Sequence, residues 1–202
     1  MSELNACTIR PAVKSECRPI AELYRISSDG VAEYIWTKIA KAGEDILDVG
    51  QRRYEQEDSV FSYRNCSMVD CKGKTAGMII AFPMEIDDEY VESDPVLVPY
   101  SKLEEPASYY ICGMAVFPEY RGRGIGTQLL MLAEKHACGQ SLTKLSLIVF
   151  EKNEGAKRLY ERSGYFEKAH EPVVPHRLIH FNGRAVLMVK DLADAQPDDR
   201  GR

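Results

Sequence analysis

The sequence predicts a single α/β (α+β) domain in which helices flank a central mixed sheet. Its 202 residues, of which 45% are hydrophobic and 28% charged, are enough to bury one sizeable core. From Tyr109 to Ser163 the pattern reads strand, glycine turn, helix, strand, helix, and this order places helices over neighbouring strands. We find no internal repeat and no linker. We therefore expect one domain over residues 1–192 and a polar, disordered tail over 193–202.

The first half of the chain is predicted to contain three helices and three strands. Pro11 marks the first strand as an edge strand, because proline cannot donate to a central ladder. Two runs with apolar residues at helical spacing are separated by Ser27-Ser28-Asp29-Gly30, and Gly73 lies at the tip of a hairpin. In order, we expect a strand over 8–13, helices over 20–26, 31–39 and 45–57, and strands over 61–70 and 75–82.

A long acidic loop follows the hairpin. Six of the ten residues in Glu85–Asp94 are acidic, and three prolines keep the chain irregular up to Ser108. Loops of this length inside a compact domain are often functional, although a run of charges is also typical of a merely solvated surface.

The second half is predicted to contain two strand–helix units and a closing pair of strands. The second strand of these units is an unbroken apolar run, and Gly164 ends the helix after it as a left-handed cap. The expected elements are strands over 109–116, 142–150, 165–168 and 184–191 and helices over 127–138 and 153–163.

Charge and cysteine content narrow the class of protein. A net charge of -5 argues against a general nucleic-acid binder. We see neither a secretory signal nor an apolar stretch long enough to span a bilayer, so we expect a cytoplasmic protein with no membrane partner. The six cysteines contain no Cys-x-x-Cys pair and are expected to be reduced thiols, with Cys112 packed in an apolar strand.

The turn Arg121–Gly126 predicts a phosphate site. Its three glycines let the backbone curl tightly between a strand and a helix, so that several N–H groups can face one point. The N-terminal end of the following helix favours an anion at the same point. Arg121 and Arg123 add two positive charges that can form paired hydrogen bonds with phosphate oxygens.

Two common phosphate-binding loops do not fit this turn. A P-loop requires Gly, four residues and then Gly-Lys-Ser/Thr, and no such string occurs in the sequence. A dinucleotide fingerprint begun at Gly122 or Gly124 would need glycine where Thr127 or Leu129 stands. Nucleotide hydrolysis and hydride transfer are therefore disfavoured.

The remaining pattern, Arg-x-x-Gly-x-Gly after an apolar strand, resembles the acyl-CoA-binding signature of the GNAT superfamily of N-acetyltransferases. A second segment, Asn153-Glu154-Gly155-Ala156-Lys157-Arg158-Leu159-Tyr160, is similar to the family's Asn-x-x-Ala-x-x-Leu-Tyr segment, and a Gly-aromatic pair follows it. The resemblance covers residues 108–166. It implies a GNAT-like acyl-CoA N-acyltransferase fold, with a twisted sheet and a V-shaped split between two parallel strands, here 109–116 and 142–150.

The resemblance also implies acetyl-CoA as the acyl donor and assigns residues to it. The backbone of Met114 and Val116 would pair with the pantetheine amides, and an N–H of Ala115 or Val116 would polarise the thioester carbonyl. Gly113 marks a position where a bulge could free such groups from the sheet. The pyrophosphate would contact the hydroxyl of Thr127 and the backbone of the turn, which consists of Arg121, Gly122, Arg123, Gly124, Ile125 and Gly126.

Asn153 and Tyr160 are seven residues apart and so share one face of the short helix. Asn153 would hydrogen-bond the pantetheine arm, or would serve only as the N-cap of its helix. Tyr160 is the predicted general acid, because a phenol can protonate the departing thiolate at neutral pH. The alternative is a tyrosine that merely packs in the core.

The general base has no clear signal in the sequence. Some family members carry a glutamate six residues before the position of Val116, but here that position is Tyr110. Glu85, at the end of the second hairpin strand, is the candidate base, acting through water, and Glu119 is a second one. Both carboxylates also fit a solvated surface role.

The predicted acceptor is a primary amine of a small molecule or peptide, and the acidic loop favours a cationic one. Dimers are frequent in the family, so a homodimer is a further expectation. The rival function is a non-catalytic acyl-CoA sensor on the same fold.

A metal site is a weaker alternative. His176 and His180 have the four-residue spacing of helical ligands, with His170 nearby, but two prolines argue against a helix there. We therefore predict no metal.

Overall fold

A seven-stranded mixed sheet forms the centre of the protein in a computed structural model, which describes residues 7–85 and 89–192. The strand order is β1-β2-β3-β4-β5-β7-β6, and β4 and β5 run parallel while the other neighbours are antiparallel. The strands are β1 (Cys7–Pro11), β2 (Cys66–Cys71), β3 (Lys74–Pro83), β4 (Tyr109–Val116), β5 (Lys144–Phe150), β6 (Phe166–Pro172) and β7 (Arg184–Asp191). The predicted mixed sheet is confirmed, and Pro11 lies on an edge strand as expected. The predicted tail lies outside the described residues.

Helices cover both faces of this sheet. They are α1 (Cys17–Ser27), α2 (Val31–Ile39), α3 (Ile46–Tyr54), α4 (Val98–Ser101), α5 (Ile125–Gly139) and α6 (Glu154–Arg162). One core cluster joins α1, α2 and α3 to the sheet around Trp36 and Tyr54. A second cluster packs α5 against the sheet through Leu129 and Leu130. In the part of the chain that the structure describes, no helix is long and apolar enough to cross a membrane.

The two parallel strands separate after a short contact. β4 pairs with β5 only from Tyr109 to Ile111, against Leu145–Leu147, although β4 continues to Val116 and β5 to Phe150. On its other side β4 stays paired with β3 along its whole length. Among the described residues no strand therefore lies beside the edge of β4 beyond Ile111, and this is the V-shaped split that the resemblance implied.

A bulge lies where the split begins. The register of β3 against β4 passes from Ile80–Gly113 to Ala81–Ile111, which leaves Cys112 as the extra residue. A bulge bends its strand and raises its twist, so β4 turns away from β5 at this point. The bulge expected at Gly113 is found at this step of the strand.

Several element boundaries differ from the predicted ones. The strand expected over 61–70 begins at Cys66, because a 3-10 turn over Tyr63–Asn65 precedes it. The strand expected over 165–168 is β6, and it continues to Pro172 because its whole length pairs with β7. The long loop that follows the hairpin contains the short helix α4. We did not predict this helix, because the prolines of the loop indicated an irregular chain.

Two of the six cysteines are not free, so the expectation of six reduced thiols is wrong. Cys7 and Cys71 form a disulfide, because the antiparallel register of β1 and β2 sets them directly opposite each other. Their separation of 64 residues leaves no local spacing that the sequence could reveal. Cys17, Cys66, Cys112 and Cys138 are free thiols.

Candidate active site

A cavity of about 1190 Å³ opens where β4 and β5 separate. Its walls come from both faces of the sheet, with Tyr24 and Ser27 of α1 on one side and Ile125 and Thr127 of α5 on the other. The cavity therefore extends between the two strands from one face of the sheet to the other and is not a shallow surface depression. Most of the predicted site residues line it: Met114, Ala115, Val116, Arg121, Gly122, Gly124, Ile125, Gly126, Thr127, Asn153 and Tyr160.

The glycine turn forms one mouth of this cavity. Gly122 and Gly124 have φ values of 73° and 77°, a left-handed conformation that side chains other than glycine disfavour. Within the described residues, backbone hydrogen bonding resumes after these glycines only at Gln128. Its N–H donates to the carbonyl oxygen of Gly124 at 3.1 Å. The N–H groups of 122–127 are therefore left for a ligand.

The two arginines of the turn behave differently. Arg121 lines the cavity, and its Nε donates to the carbonyl of Val116 at 2.9 Å, which fixes the guanidinium beside the end of β4. Arg123 is not among the lining residues. It donates to the carbonyl of Glu119 at 2.9 Å and lies over the ring of Tyr120, so only Arg121 faces the cavity directly.

Helix α6 approaches α5 closely beside the turn. A Cβ added to Gly126 would lie 2.9 Å from Cδ2 of Leu159 on α6, closer than side chains tolerate. A side chain at this position would therefore displace the end of Leu159, on the helix that brings Tyr160 to the same cavity as the turn.

Asn153 holds the start of α6. Its side chain accepts from the N–H of Ala156 at 3.3 Å and donates through Nδ2 to the carboxylate of Asp29 at 3.2 Å. The N-cap role is thus present in the structure. One N–H of the carboxamide remains for a further partner.

Tyr160 projects from α6 into the same cavity with only 8% of its surface exposed. Its hydroxyl has no hydrogen-bond partner in the described part of the chain. Burial, and then the charge of Asp29, raise the pKa of Tyr160 to about 12. The phenol therefore keeps its proton at any physiological pH.

Asp29 is a site residue that sequence reasoning missed. It lines the cavity with φ of 49°, and burial raises its pKa while the hydrogen bond from Asn153 lowers it. In the sequence it belongs to Ser27–Gly30, which signals only a break between helices. Nothing in that run indicates that the break lies against Asn153, which is far away along the chain.

The predicted bases do not lie in the cavity wall. Glu85 and Glu119 are exposed and are not among the lining residues. Two other carboxylates of the acidic loop, Glu92 and Glu104, do line it. Glu104 is exposed too, but partial desolvation of its carboxylate and the nearby Glu92 raise its pKa. Asp87 and Asp88 lie outside the described residues.

The histidines considered as metal ligands have other partners. His170 contacts Glu167 and Arg184, each at 3.2 Å, whereas His176 packs edge-on against Tyr34 with ring centroids 4.7 Å apart. Within residues 7–85 and 89–192, no three His, Cys, Asp or Glu side chains are grouped as a metal site would need.

Sequence comparison places this geometry in a known family. The model of the acetyltransferase (GNAT) family matches residues 34–165, a span that includes the split strands, the glycine turn and α6. The chain belongs to the GNAT family. The predicted family is confirmed, and acetyl-CoA is the donor that GNAT enzymes use.

Solved structures agree with the GNAT fold. An N-acetyltransferase from Staphylococcus aureus Mu50 superposes with a TM-score of 0.61 and 18% identity, over 90% of this chain and 99% of that one. YncA from Salmonella typhimurium, solved with its cofactor acetyl-CoA, gives 0.61 and 19%, over 98% and 100%. The predicted GNAT fold is thus confirmed.

A curated relative matches a shorter region. The N-acetyltransferase YycN of Bacillus subtilis (strain 168) is 36% identical over 58 residues, which are 29% of this chain. The match spans 37% of the length of that relative.

Proposed function

We propose that this chain is an N-acetyltransferase that transfers the acetyl group of acetyl-CoA directly to a primary amine. The observation that carries the proposal is the convergence of three features on one cavity. These are the glycine turn at its mouth, the unpaired edge of β4 along its wall, and the buried hydroxyl of Tyr160.

The cavity suits the donor at each point along its length. The unpaired N–H groups of 122–127 and the guanidinium of Arg121 would hold the pyrophosphate. The free edge of β4, over Met114, Ala115 and Val116, would pair with the amides of the pantetheine arm as a neighbouring strand would. The spare N–H of Asn153 would add a hydrogen bond to the arm.

Tyr160 would act as the general acid. As the amine nitrogen bonds to the acetyl carbon, the carbon–sulfur bond breaks, and the thiolate takes the phenolic proton, which solvent then replaces. The raised pKa ensures that the proton is present before the reaction. General acids of this kind typically contribute about 10²- to 10⁴-fold to the rate.

The amine must lose a proton before it attacks, and a carboxylate would accept it. The sequence predicts Glu85 for this role, because Glu85 follows the end of β3. Glu104 is better placed, because it lines the cavity and its pKa is raised towards the range where a base works at neutral pH. We propose Glu104 as the base, with Glu85 as the alternative.

The acceptor side of the cavity supports an amine that arrives as a cation. Glu92 and Glu104 contribute negative charge there, and aromatic rings of Tyr90 and Tyr110 lie among the lining residues. Both features attract an ammonium group.

A cytoplasmic location and a homodimer remain predictions.

Release of free thiol from acetyl-CoA in the presence of a panel of primary amines tests the proposal. An enzyme releases thiol with some amines and forms the matching acetylated product, seen by mass spectrometry. The rival sensor would bind acetyl-CoA in a titration but release no thiol with any amine, and that result would contradict transfer.

A further inference from the structure

Arg53, near the end of α3, is a charged residue that the proposed transfer does not use. It is half-buried, lines the cavity, and its guanidinium lies 4.1 Å from the centroid of the Phe61 ring. Among the described residues no carboxylate lies within ion-pair distance of it. Its neighbour Arg52 differs, because that exposed side chain pairs with Glu44 at 3.0 Å, outside the cavity.

Glu104 is an anionic residue that lines the same cavity. Its carboxylate has no hydrogen bond or ion pair in the described part of the chain, and after burial and Cys112 its charge contributes to the raised pKa of Tyr110. Burial raises the pKa of Cys112, two residues further along β4, to about 11, and the hydrogen bond with Tyr24 and then the charge of Arg53 oppose this rise. One unpaired anion and one unpaired cation thus lie near Tyr110 and Cys112 of the same strand without pairing with each other.

Arg53 is half-buried, and a partly buried charge is costly unless a partner compensates it, whereas Glu104 is exposed and also meets solvent. The pair of unmatched charges therefore suits a ligand that brings one of each. The ammonium of such a ligand would face Glu104, next to Tyr110, and its anionic group would face Arg53.

We propose, on the basis of the proposed acetyl transfer, that the acceptor is a primary amine that also carries a carboxylate, and that Arg53 binds this carboxylate. Phe61 covers one face of the guanidinium, which leaves its planar edge for the paired hydrogen bonds that a carboxylate accepts. A phosphate fits less well, because its second negative charge would have no cation to meet beside Glu92 and Glu104.

Matched acceptors test this subsite. Each amine of a panel, α-amino acids and ω-amino acids of increasing length, is compared with its own carboxamide in the thiol-release assay. We expect kcat/KM to favour the carboxylate at least about tenfold, as charge-assisted hydrogen bonds imply. In Arg53→Gln the ratio of carboxylate to carboxamide should fall to within about threefold of unity. Arg53→Lys, which keeps the charge but not the planar edge, should give an intermediate ratio.

Arg52→Gln is the matched control, because it removes an arginine from the same helix outside the cavity, and it should leave the ratio unchanged. A wild-type ratio near one, or a ratio that survives in Arg53→Gln, overturns the carboxylate subsite while the acetyl transfer stands.

Absence of thiol release with every amine would instead overturn the proposed function. Binding at the subsite is then measured from the melting temperature of the protein with CoA and each member of the same panel at saturating concentration. Carboxylates that raise the melting temperature of the wild type but not of Arg53→Gln support it, and equal shifts, or none, overturn it.

Discussion

At the scale of single residues, the cavity contains groups whose ionisation is set by burial. Tyr160 keeps its proton because it is buried and lies near Asp29, and partial desolvation and then the charge of Glu92 raise the pKa of the exposed Glu104. An acid and a base with pKa values moved in this way are typical of catalytic sites.

The two candidate bases can be separated by substitution. Glu104→Gln should lower kcat/KM about tenfold or more at pH 7, whereas Glu85→Gln should change it less than about threefold. A carboxylate base works only when it is deprotonated. Because the pKa of Glu104 is raised, wild-type kcat/KM should fall, as the pH is lowered, at a pH above the usual value for glutamate.

Initial rates between pH 5 and 9 with one amine measure both effects. A large loss in Glu85→Gln with none in Glu104→Gln would reverse the assignment.

At the scale of elements, most of the secondary structure could be predicted from the sequence, because periodicity and glycine punctuation are local signals. The strands over 109–116 and 184–191 and the helix over 31–39 match the observed limits. The glycine turn and α6 were also predictable, since both match family motifs.

Contacts between distant segments were not predictable. Asp29 reaches Asn153 across 124 residues, and Arg53 reaches the cavity from a helix whose charges suggest only a solvated face. Glu104 and Glu92 could not be distinguished from the other acidic residues of their loop. Which of these carboxylates faces the split depends on tertiary packing, which leaves no local pattern.

The contact between α5 and α6 allows a test at this scale. In Gly126→Val the branched side chain meets the end of Leu159, which must shift and disturb the packing of α6 beside the turn. We expect the dissociation constant of acetyl-CoA to rise about tenfold, since overpacking of this kind costs about 1–3 kcal/mol.

Gly139→Val is the control in the same helix, because a Cβ there meets nothing within 4 Å. Isothermal titration of both variants with acetyl-CoA gives the comparison. Equal affinities for the two would show that the approach of α6 does not shape the donor site.

At the scale of the whole molecule, the edge of the sheet and its centre have separate roles. The disulfide of Cys7 and Cys71 joins β1 to β2, whereas the cavity opens between β4 and β5, two strands further in. Stability of the edge should therefore be independent of donor binding.

Reduction of the disulfide should lower the free energy of unfolding by about 2–4 kcal/mol, because the unfolded chain gains entropy. Thiol titration of the denatured, unreduced protein should give four thiols, the six of the sequence less the two that are bonded. Acetyl-CoA affinity should not change. In Cys7→Ser the reductant should have no further effect on unfolding, and six free thiols in the wild type would exclude the disulfide.

The kinetics of Tyr160→Phe with acetyl-CoA and an accepted amine test the general-acid role of Tyr160 directly. This change removes one hydroxyl from the cavity and keeps the ring. We predict a fall in kcat of about 10²- to 10⁴-fold, with the dissociation constant of acetyl-CoA within about twofold of the wild-type value. An unchanged kcat would contradict the assignment of Tyr160 as the general acid.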